Sequence, residues 1–413
     1  VRFLFILSLM NNLESRQIDY VQAFPQADLQ DEVYMQLPHG YNPPKDKEYV
    51  LKLNKNLYGL KQAAFNWNQL LTAGLQALGF NPSKTDPCLF LRTDIICVIY
   101  VDDTIFFAKS KDTIENVIIQ LKKSFELTDE GEVDAFLGIK LTKNPDDSIT
   151  MSQPGLIEQV IKTVGLEHDS KQHKTPATNP PLVKHEDSAD RETQWSYRSA
   201  IGQLAYISRN TRPDIEMAVH QCAKYQINPK LSHEKAVKRI VRYLLATKDK
   251  GIIVKPNENF QELECYVDAD FAGAYNKEDN DDPISVKSRT GYFIKYAGFP
   301  IAWARKLQTE IALSTTEAEY IALSQSTREL IPMRAIILEL SSILNIPCAK
   351  LNLKCTIFED NTGAEQLAKV PKHRPRTKHI AIKYHHFREW VKNGILTITH
   401  VGTDDQEADI LTK

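Results

Sequence analysis

Ile95–Phe107 reads IICVIYVDDTIFF. Two apolar runs, Ile95–Tyr100 and Thr104–Phe107, are rich in β-branched and aromatic residues. Between them stand Val101, Asp102 and Asp103, which no strand interior would choose. The pattern predicts two strands joined by a tight turn at the Asp pair, a β-hairpin with carboxylates at its tip. Adjacent carboxylates repel, so a fold that holds them together commonly gives them a divalent cation to share. An ordinary Asp-containing turn is the plainer alternative.

The rest of the chain bounds that reading. A length of 413 residues suffices for two or three domains with their own cores. A hydrophobic fraction of 42% and a charged fraction of 25% are those of a globular protein, which excludes a disordered or fibrous chain. The formal net charge of −2 gives no general attraction to polyanions and leaves only local basic strips for that purpose. Six cysteines without a CxxC pair indicate neither a disulfide framework nor a zinc knuckle, and they fit a reducing compartment. The opening run VRFLFILSLM lacks a basic leader and a small-residue cleavage site, and it is far too short to span a bilayer. It reads as a buried helix whose upstream context has been cut away, so the chain is expected to be a fragment.

Gln17–Tyr20 reads as a short strand carrying Asp19 near its end, and Glu32–Gln36 as another. Within Leu51–Leu78, Ala64, Trp67, Leu70, Leu71 and Leu75 form a helical stripe. Lys111–Phe125 and Leu156–Gly165 have helical character, and Lys171–Glu192, with Pro176, Pro180 and Pro181, reads as an exposed linker. Two further helical stretches contain TRPD and RYL. Lys235, Lys238, Arg239 and Arg242 make one basic face there, either solvated or set against a nucleic-acid backbone. From Leu263 the order changes to strands at Leu263–Asp268, Thr290–Ala297 and Pro300–Arg305, then a helix at Ser314–Glu329. A strand at Lys354–Phe358, helices at Asn361–Lys369 and His379–Val391, a strand at Leu396–Val401 and a helix at Asp405–Leu411 follow. The acidic stretch NKEDNDDP reads as a solvated insertion.

Several of these stretches resemble one family. Tyr100-Val101-Asp102-Asp103 resembles the catalytic hairpin of reverse transcriptases. Asp19 followed five residues later by Phe24 resembles the first catalytic motif of the copia-type retrotransposon enzymes, although Tyr20–Ala23 departs from the usual wording between them. LNKNLYGLKQA, Leu53–Ala63, closely resembles the copia-type segment that lines the nucleotide pocket and template path, with Gly59 and Gln62 inside it. FLGI at Phe136–Ile139, TRPD and RYL resemble later parts of the same family. The order of elements after Leu263 is similar to the ribonuclease H fold, and YVDAD, STTEAEYIAL, FEDNTGA and QEADIL each resemble one part of its Asp-Glu-Asp-Asp constellation. Those parts are Asp268, Glu319, Asp360 and Asp409. Glu317 and Glu319 point about 200° apart on a helix, so only one faces the metals. Glu319-Tyr320-Ile321-Ala322 fits the pattern, and Glu317 reads as a first-turn helix acid. Asp270 shares a strand face with Asp268 and is expected to support it.

The resemblance implies an α+β polymerase palm with thumb and connection, followed by an α/β ribonuclease H-like domain with a mixed five-stranded sheet and flanking helices. The expected boundaries are 1–145 for the palm, 146–260 for thumb and connection, and 261–413 for the hydrolase. It implies an RNA-directed DNA polymerase with a ribonuclease H that degrades the RNA of RNA–DNA hybrids. Asp19 and Asp102 would hold one pair of Mg²⁺ ions with Asp103 supporting them, and Asp268, Glu319, Asp360 and Asp409 a second pair, with Mn²⁺ as the alternative ion. Phe24, Gly59, Gln62 and Tyr100 would contact nucleotide or primer. Lys238, Arg239, Arg242 and, in RTKHI, Arg376, Lys378 and His379 would contact nucleic-acid backbone. A zinc site from His373, His379, His385 and His386 is not expected. VGTDDQEAD lacks the loop His found before the last Asp in many cellular ribonucleases H, which implies slower product release. The implied partners are an RNA template, a DNA primer, deoxynucleoside triphosphates, the hybrid and the remainder of a polyprotein, with no membrane. The implied setting is a cytoplasmic virus-like particle, or the nucleus with the integration complex. The fingers would lie upstream of Val1, so weak extension by the chain alone is expected. The competing reading is an inactive remnant that only binds nucleic acid or protein.

Overall fold

The computed structural model describes residues 1–42, 48–169, 171–178, 182, 189–255, 262–273, 285–343, 353–369, 380 and 382–412. Two compact units divide the chain, one chiefly of residues 3–133 and the other of residues 134–335 with the described part of 350–413. Among the described residues no helix is long and apolar enough to cross a membrane.

The first unit runs α1 (Arg2–Met10), β1 (Glu14–Tyr20), α2 (Ala23–Gln26), β2 (Tyr34–Gln36), β3 (Val50–Lys52), α3 (Ala63–Ala77), β4 (Asn81–Pro82), β5 (Leu89–Arg92), β6 (Ile95–Tyr100), β7 (Asp103–Ala108), α4 (Lys111–Leu121) and β8 (Leu127–Gly131). Six strands form one sheet in the order β4-β5-β6-β7-β1-β8. The unbroken apolar run of β6 is explained by burial on both faces. Ile95, Cys97 and Ile99 pack with Trp67, Leu71 and Leu75 of α3 and with Ile114, Val117 and Leu121 of α4. On the other face Phe107 meets Phe5 of α1 edge-on at 5.5 Å, so the opening apolar run is a buried helix as its composition requires.

The α3 stripe differs from expectation. Ala63, Trp67, Leu71 and Leu75 are buried, a ladder of fourth residues, whereas Ala64 and Leu70 are exposed. Gly74 lies inside this helix, where glycine costs roughly 0.5–1 kcal/mol against alanine. A Cβ there would come within 2.5 Å of the Phe125 ring, so its absence lets Phe125 seat on the helix. Phe125 completes an edge-to-face trio with Tyr20 and Trp67 at 5.1–5.9 Å, each such pair worth about 0.5–1.5 kcal/mol beyond its burial.

The second unit begins with β9 (Ala135–Phe136), β10 (Ile139–Lys143) and β11 (Ile149–Ser152), then α5 (Pro154–Val164), α6 (Tyr197–Asn210), α7 (Glu216–Ala223), α8 (Leu231–Ala246) and β12 (Ile252–Val254). The FLGI segment breaks β9 from β10 at Leu137 and Gly138, both at positive φ. Because β9–β12 form a single antiparallel sheet, with β10 paired to β9 and β11 and β11 paired to β12, residues 135–143 pack with the second unit. The helices enclose their own core of Ile157, Val160, Leu204, Ile207, Val237 and Val241. TRPD and RYL meet inside it. Arg212 grips Asp214 through two nitrogens at 2.9 and 2.7 Å and donates to the Thr247 carbonyl, and the Tyr243 hydroxyl donates to Asp214 at 2.7 Å.

The chain continues with β13 (Leu263–Asp270), β14 (Arg289–Tyr296), β15 (Phe299–Leu307), α9 (Thr315–Ile343), β16 (Cys355–Glu359), α10 (Thr362–Lys369), α11 (Arg388–Lys392), β17 (Leu396–His400) and α12 (Asp409–Thr412). The sheet order is β15-β14-β13-β16-β17, antiparallel across β13–β15 and parallel from β13 through β16 to β17. α9 runs fourteen residues past the expected end at Glu329, through Pro332. The expected helix over Asp405–Leu411 is instead a 3₁₀ turn at Thr403–Asp405 and the short α12. Of His379–Val391, the described part is a 3₁₀ turn at Ile382–His385 followed by α11.

Candidate active sites

The hairpin turn is made by Val101 and Asp102, while Asp103 is already the first residue of β7 and pairs with Tyr100. This corrects the expectation that both Asp residues form the turn. Val101 has φ +57°, a conformation that β-branched residues avoid. Two hydrogen bonds hold it there. The Trp67 indole donates to the Val101 carbonyl at 2.9 Å, and the Tyr20 amide donates to the Asp102 carbonyl at 3.0 Å.

Asp19 lies directly opposite Asp103 in the β1–β7 pairing, so the sheet itself sets two carboxylates side by side. Like charges in that position are destabilising. Burial, then the charges of Asp103, Asp102 and Glu130, raises the Asp19 carboxyl above its usual range. Burial also raises Asp103, against the 3.2 Å hydrogen bond it accepts from Gln17. Asp102 accepts from the Tyr58 hydroxyl at 2.8 Å through Oδ2, while its Oδ1 is buried with no hydrogen-bond partner. Tyr58 is pushed up to about 12 by burial and by Asp102. An orphaned carboxylate oxygen amid repelling acids fits an all-oxygen site for a hard divalent cation.

Phe24 is half-buried on α2, its ring 4.5 Å from that of Tyr58. Gly59 takes φ +100°, Gln62 immediately precedes α3, and Tyr100 is 56% exposed beside the turn. Tyr58 escaped the sequence reading although it sits within LYGLKQA; an aromatic flanked by glycine in a turn was its only signal. The Asp19, Asp102 and Asp103 trio is not among the groups whose ligand atoms converge within 4.8 Å.

The second unit does contain such groups. Asp268, Asp360 and Asp409 each offer an oxygen within 4.8 Å of the others, and so do Glu319, Glu359 and Asp360. β13 supplies Asp268, α9 Glu319, the end of β16 Glu359 and Asp360, and α12 Asp409. Asp268 accepts from the Thr412 hydroxyl. That contact needs Gly291 opposite Asp268 on β14, because a Cβ there would reach within 2.8 Å of Thr412. Burial, then Glu359 and Asp268, raises the Glu319 carboxyl. Burial raises Glu359 as well, against a hydrogen bond from the Asn361 amide at 3.1 Å and with further repulsion from Asp360 and Asp268.

Glu317 is elsewhere engaged. Its carboxylate accepts from the Leu313 amide at 2.9 Å while its own amide donates to Ser314 Oγ, a reciprocal cap on α9. Asp270 is taken up by Arg305 at 3.1 Å and by Arg289, whose amide donates to it at 2.5 Å. Arg305 also donates to the Leu411 carbonyl, which ties the turn bearing Asp409 to the sheet. Glu359, Arg289, Arg305 and Thr412 were missed from sequence. Strand alternation through CTIFE, which buries 355, 357 and 359, was the available signal for Glu359.

The basic face of α8 is largely spent within the chain. Lys238 pairs with Glu234 at 2.6 Å, Arg242 with Asp169 at 2.6 Å, and Arg239 donates to Thr175. Arg376, Lys378 and His379 lie outside the described residues. His385 and His386 share hydrogen bonds with Tyr320 and Ser324 of α9.

Residues 1–179 match the family described as reverse transcriptase (RNA-dependent DNA polymerase). The chain is 33% identical to the retrovirus-related Pol polyprotein from transposon TNT 1-94 of Nicotiana tabacum, over 100% of this chain and 31% of that protein. It is 35% identical to the corresponding polyprotein from transposon RE2 of Arabidopsis thaliana, over 96% of this chain and 26% of that one. A transposon Ty5-1 protein of Saccharomyces cerevisiae is 28% identical over 76% of this chain and its own full length. The chain thus spans under a third of the plant polyproteins it matches.

Proposed function

We propose that the chain, which matches the reverse transcriptase family over residues 1–179 and is similar along its length to Pol polyproteins of copia-type retrotransposons, copies an RNA template into DNA and degrades the RNA of the resulting hybrid. The first unit is the palm, residues 134–254 are thumb and connection, and residues 262–412 are a ribonuclease H-like domain.

At the palm, Asp19 and Asp102 hold the cations, and Asp103, opposite Asp19, keeps the local charge high enough to retain them. Tyr58 fixes the Asp102 carboxylate through its 2.8 Å hydrogen bond, and Trp67 fixes the turn that carries it. Phe24, its ring tilted against that of Tyr58, floors the sugar of the incoming deoxynucleoside triphosphate. In the hydrolase, Asp268, Glu319, Asp360 and Asp409 hold the second pair, and Thr412 and Arg305 orient the two elements that bring Asp268 and Asp409 together. In both sites bound Mg²⁺, or Mn²⁺, supplies Lewis acidity toward the attacking oxygen and the phosphate leaving group.

The single observation that carries this reading is the conjunction of Asp19 opposite Asp103 with an orphaned Asp102 oxygen at a strained turn, inside the span that matches the reverse transcriptase family. Paired assays of primer extension and hybrid cleavage test it. In a longer protein carrying the full polymerase, Asp102→Asn should reduce extension at least about a hundredfold and spare cleavage, and Asp268→Asn should do the opposite. Undiminished extension by Asp102→Asn would overturn the palm assignment.

A further inference from the structure

Glu359 has no place in the four-acid constellation, yet it is the most deeply buried acid of the cluster. Its side chain is fully enclosed, with a relative exposure of 0%. One oxygen accepts from the Asn361 amide at 3.1 Å, and the other, Oε2, is buried without a hydrogen-bond partner. Glu319, 6% exposed, likewise has a buried Oε2 with no hydrogen-bond partner. A buried acceptor left unmatched costs on the order of 1–3 kcal/mol, and more when charged. Two such oxygens in one cluster call for a common ligand.

Building on the hydrolase reading above, we propose that Glu359 is a fifth ligating carboxylate, which with Glu319 and Asp360 holds a divalent cation, while Asp268, Asp360 and Asp409 hold another and Asp360 belongs to both sets. The geometry supports this division. Oxygens around an octahedral Mg²⁺ at about 2.1 Å are about 3 Å apart when adjacent and about 4.2 Å apart when opposite. Each trio offers three oxygens that all lie within 4.8 Å of one another, and Asp360 is common to both. Asp360 also follows Glu359 directly, so one strand end presents a carboxylate to each trio. Asp270, the other aspartate of β13, is engaged by Arg289 and Arg305 and belongs to neither.

The position of Glu359 also decides which ion fits. Three carboxylates from the interior side leave little room for water, so the site favours an ion that accepts a dense oxygen set, Mn²⁺ over the reluctantly dehydrated Mg²⁺. The cation at Glu359 is therefore expected to exchange slowly and to stabilise the fold, whereas the one at Asp409, on the short terminal helix, exchanges freely.

Mn²⁺ titration of the full chain, followed by the electron paramagnetic resonance of the free ion and by melting temperature, tests the proposal. Glu359→Gln keeps the shape of the side chain and should weaken one class of bound Mn²⁺ at least tenfold and remove most of the Mn²⁺-induced rise in melting temperature. Should Glu359→Gln fold poorly without metal, Glu359→Asp, which keeps the charge but retracts it by one methylene, should show the same loss of affinity in smaller measure. Unchanged Mn²⁺ stoichiometry and affinity in these variants would overturn the role of Glu359, even if Asp268→Asn abolished hybrid cleavage. Conversely, loss of a Mn²⁺ in Glu359→Gln, with hybrid cleavage absent from every form including the parent, would leave the cation site standing and remove the hydrolase reading instead.

Discussion

At the hairpin tip three carboxylates are partly exposed and splayed, whereas Asp268, Glu319 and Glu359 lie within 6% exposure and all meet Asp360, Asp268 together with Asp409. The strand pairing explains the first arrangement. Asp19 and Asp103 are cross-strand neighbours, and Asp102 is held away by Tyr58. In the second unit the acids come from a strand, a long helix, a parallel neighbour and the last turn, and the sheet core forces them inward. Solvent and freely exchanging cations can relieve repulsion at an open tip. Buried acids lack that relief, so a cation bound among them would belong to the folded state itself. Metal removal should therefore reduce the melting temperature of the second unit far more than that of the first.

The largest effect expected is at α9. Glu319→Gln should lower hybrid cleavage by at least about a hundredfold, while Glu317→Gln, which removes only a cap worth about 0.5–2 kcal/mol, should leave turnover near normal at low temperature. A reversal between the two would break the contrast by placing the cap residue in the cluster. Next comes the sugar floor. Phe24→Ala should admit ribonucleotides, eroding discrimination by roughly 10- to 200-fold in single-nucleotide incorporation assays, with cleavage untouched. Equal discrimination would return Phe24 to the core alone. A smaller loss, about tenfold in extension, is expected for Tyr58→Phe, since a hydrogen bond to a charged group is worth about 1.5–3 kcal/mol and this one is partly exposed. Equal loss of cleavage would mean that Tyr58 acts on folding.

The smallest effect concerns His220, which burial and then the charges of Arg305 and Arg289 pull down to about 3. Its folded value lies below the unfolded value of about 6.5, so the unfolded chain binds the additional proton. Its contribution is therefore complete above pH 6.5 and declines as pH falls toward 3. Thermal melts between pH 7 and 5 should show a shallower slope in His220→Gln than in the parent, and an unchanged slope would locate the acid sensitivity elsewhere.

Much of this was legible in the residues, and the illegible part has physical causes. The hairpin could be read from IICVIYVDDTIFF because both faces of β6 are buried, which leaves an unbroken apolar run. Which of the two Asp residues turns and which pairs could not be read, since that depends on Trp67 and Tyr20 stabilising a positive φ at Val101. Helical geometry said that Glu317 and Glu319 could not both face one point, and the preference for Glu319 came from its resemblance to the ribonuclease H pattern. Glu359 was overlooked because a glutamate beside an aspartate reads as a strand end entering solvent, and only the parallel neighbours β13 and β17 enclose it. The basic face of α8 looked available because its partners, Asp169 and Thr175, come from a segment without regular structure.

The indole of Trp67 gives the first unit an optical handle. It is 2% exposed and bonded to the carbonyl of Val101, one residue from the Asp102 carboxylate. Whatever neutralises that carboxylate alters the field along the indole dipole, so its emission should shift when a cation or triphosphate arrives. Of the four tryptophans in the chain it alone lies in the first unit. Replacing Trp195, Trp303 and Trp390 by Phe would leave a protein whose fluorescence reports occupancy at the hairpin without any label.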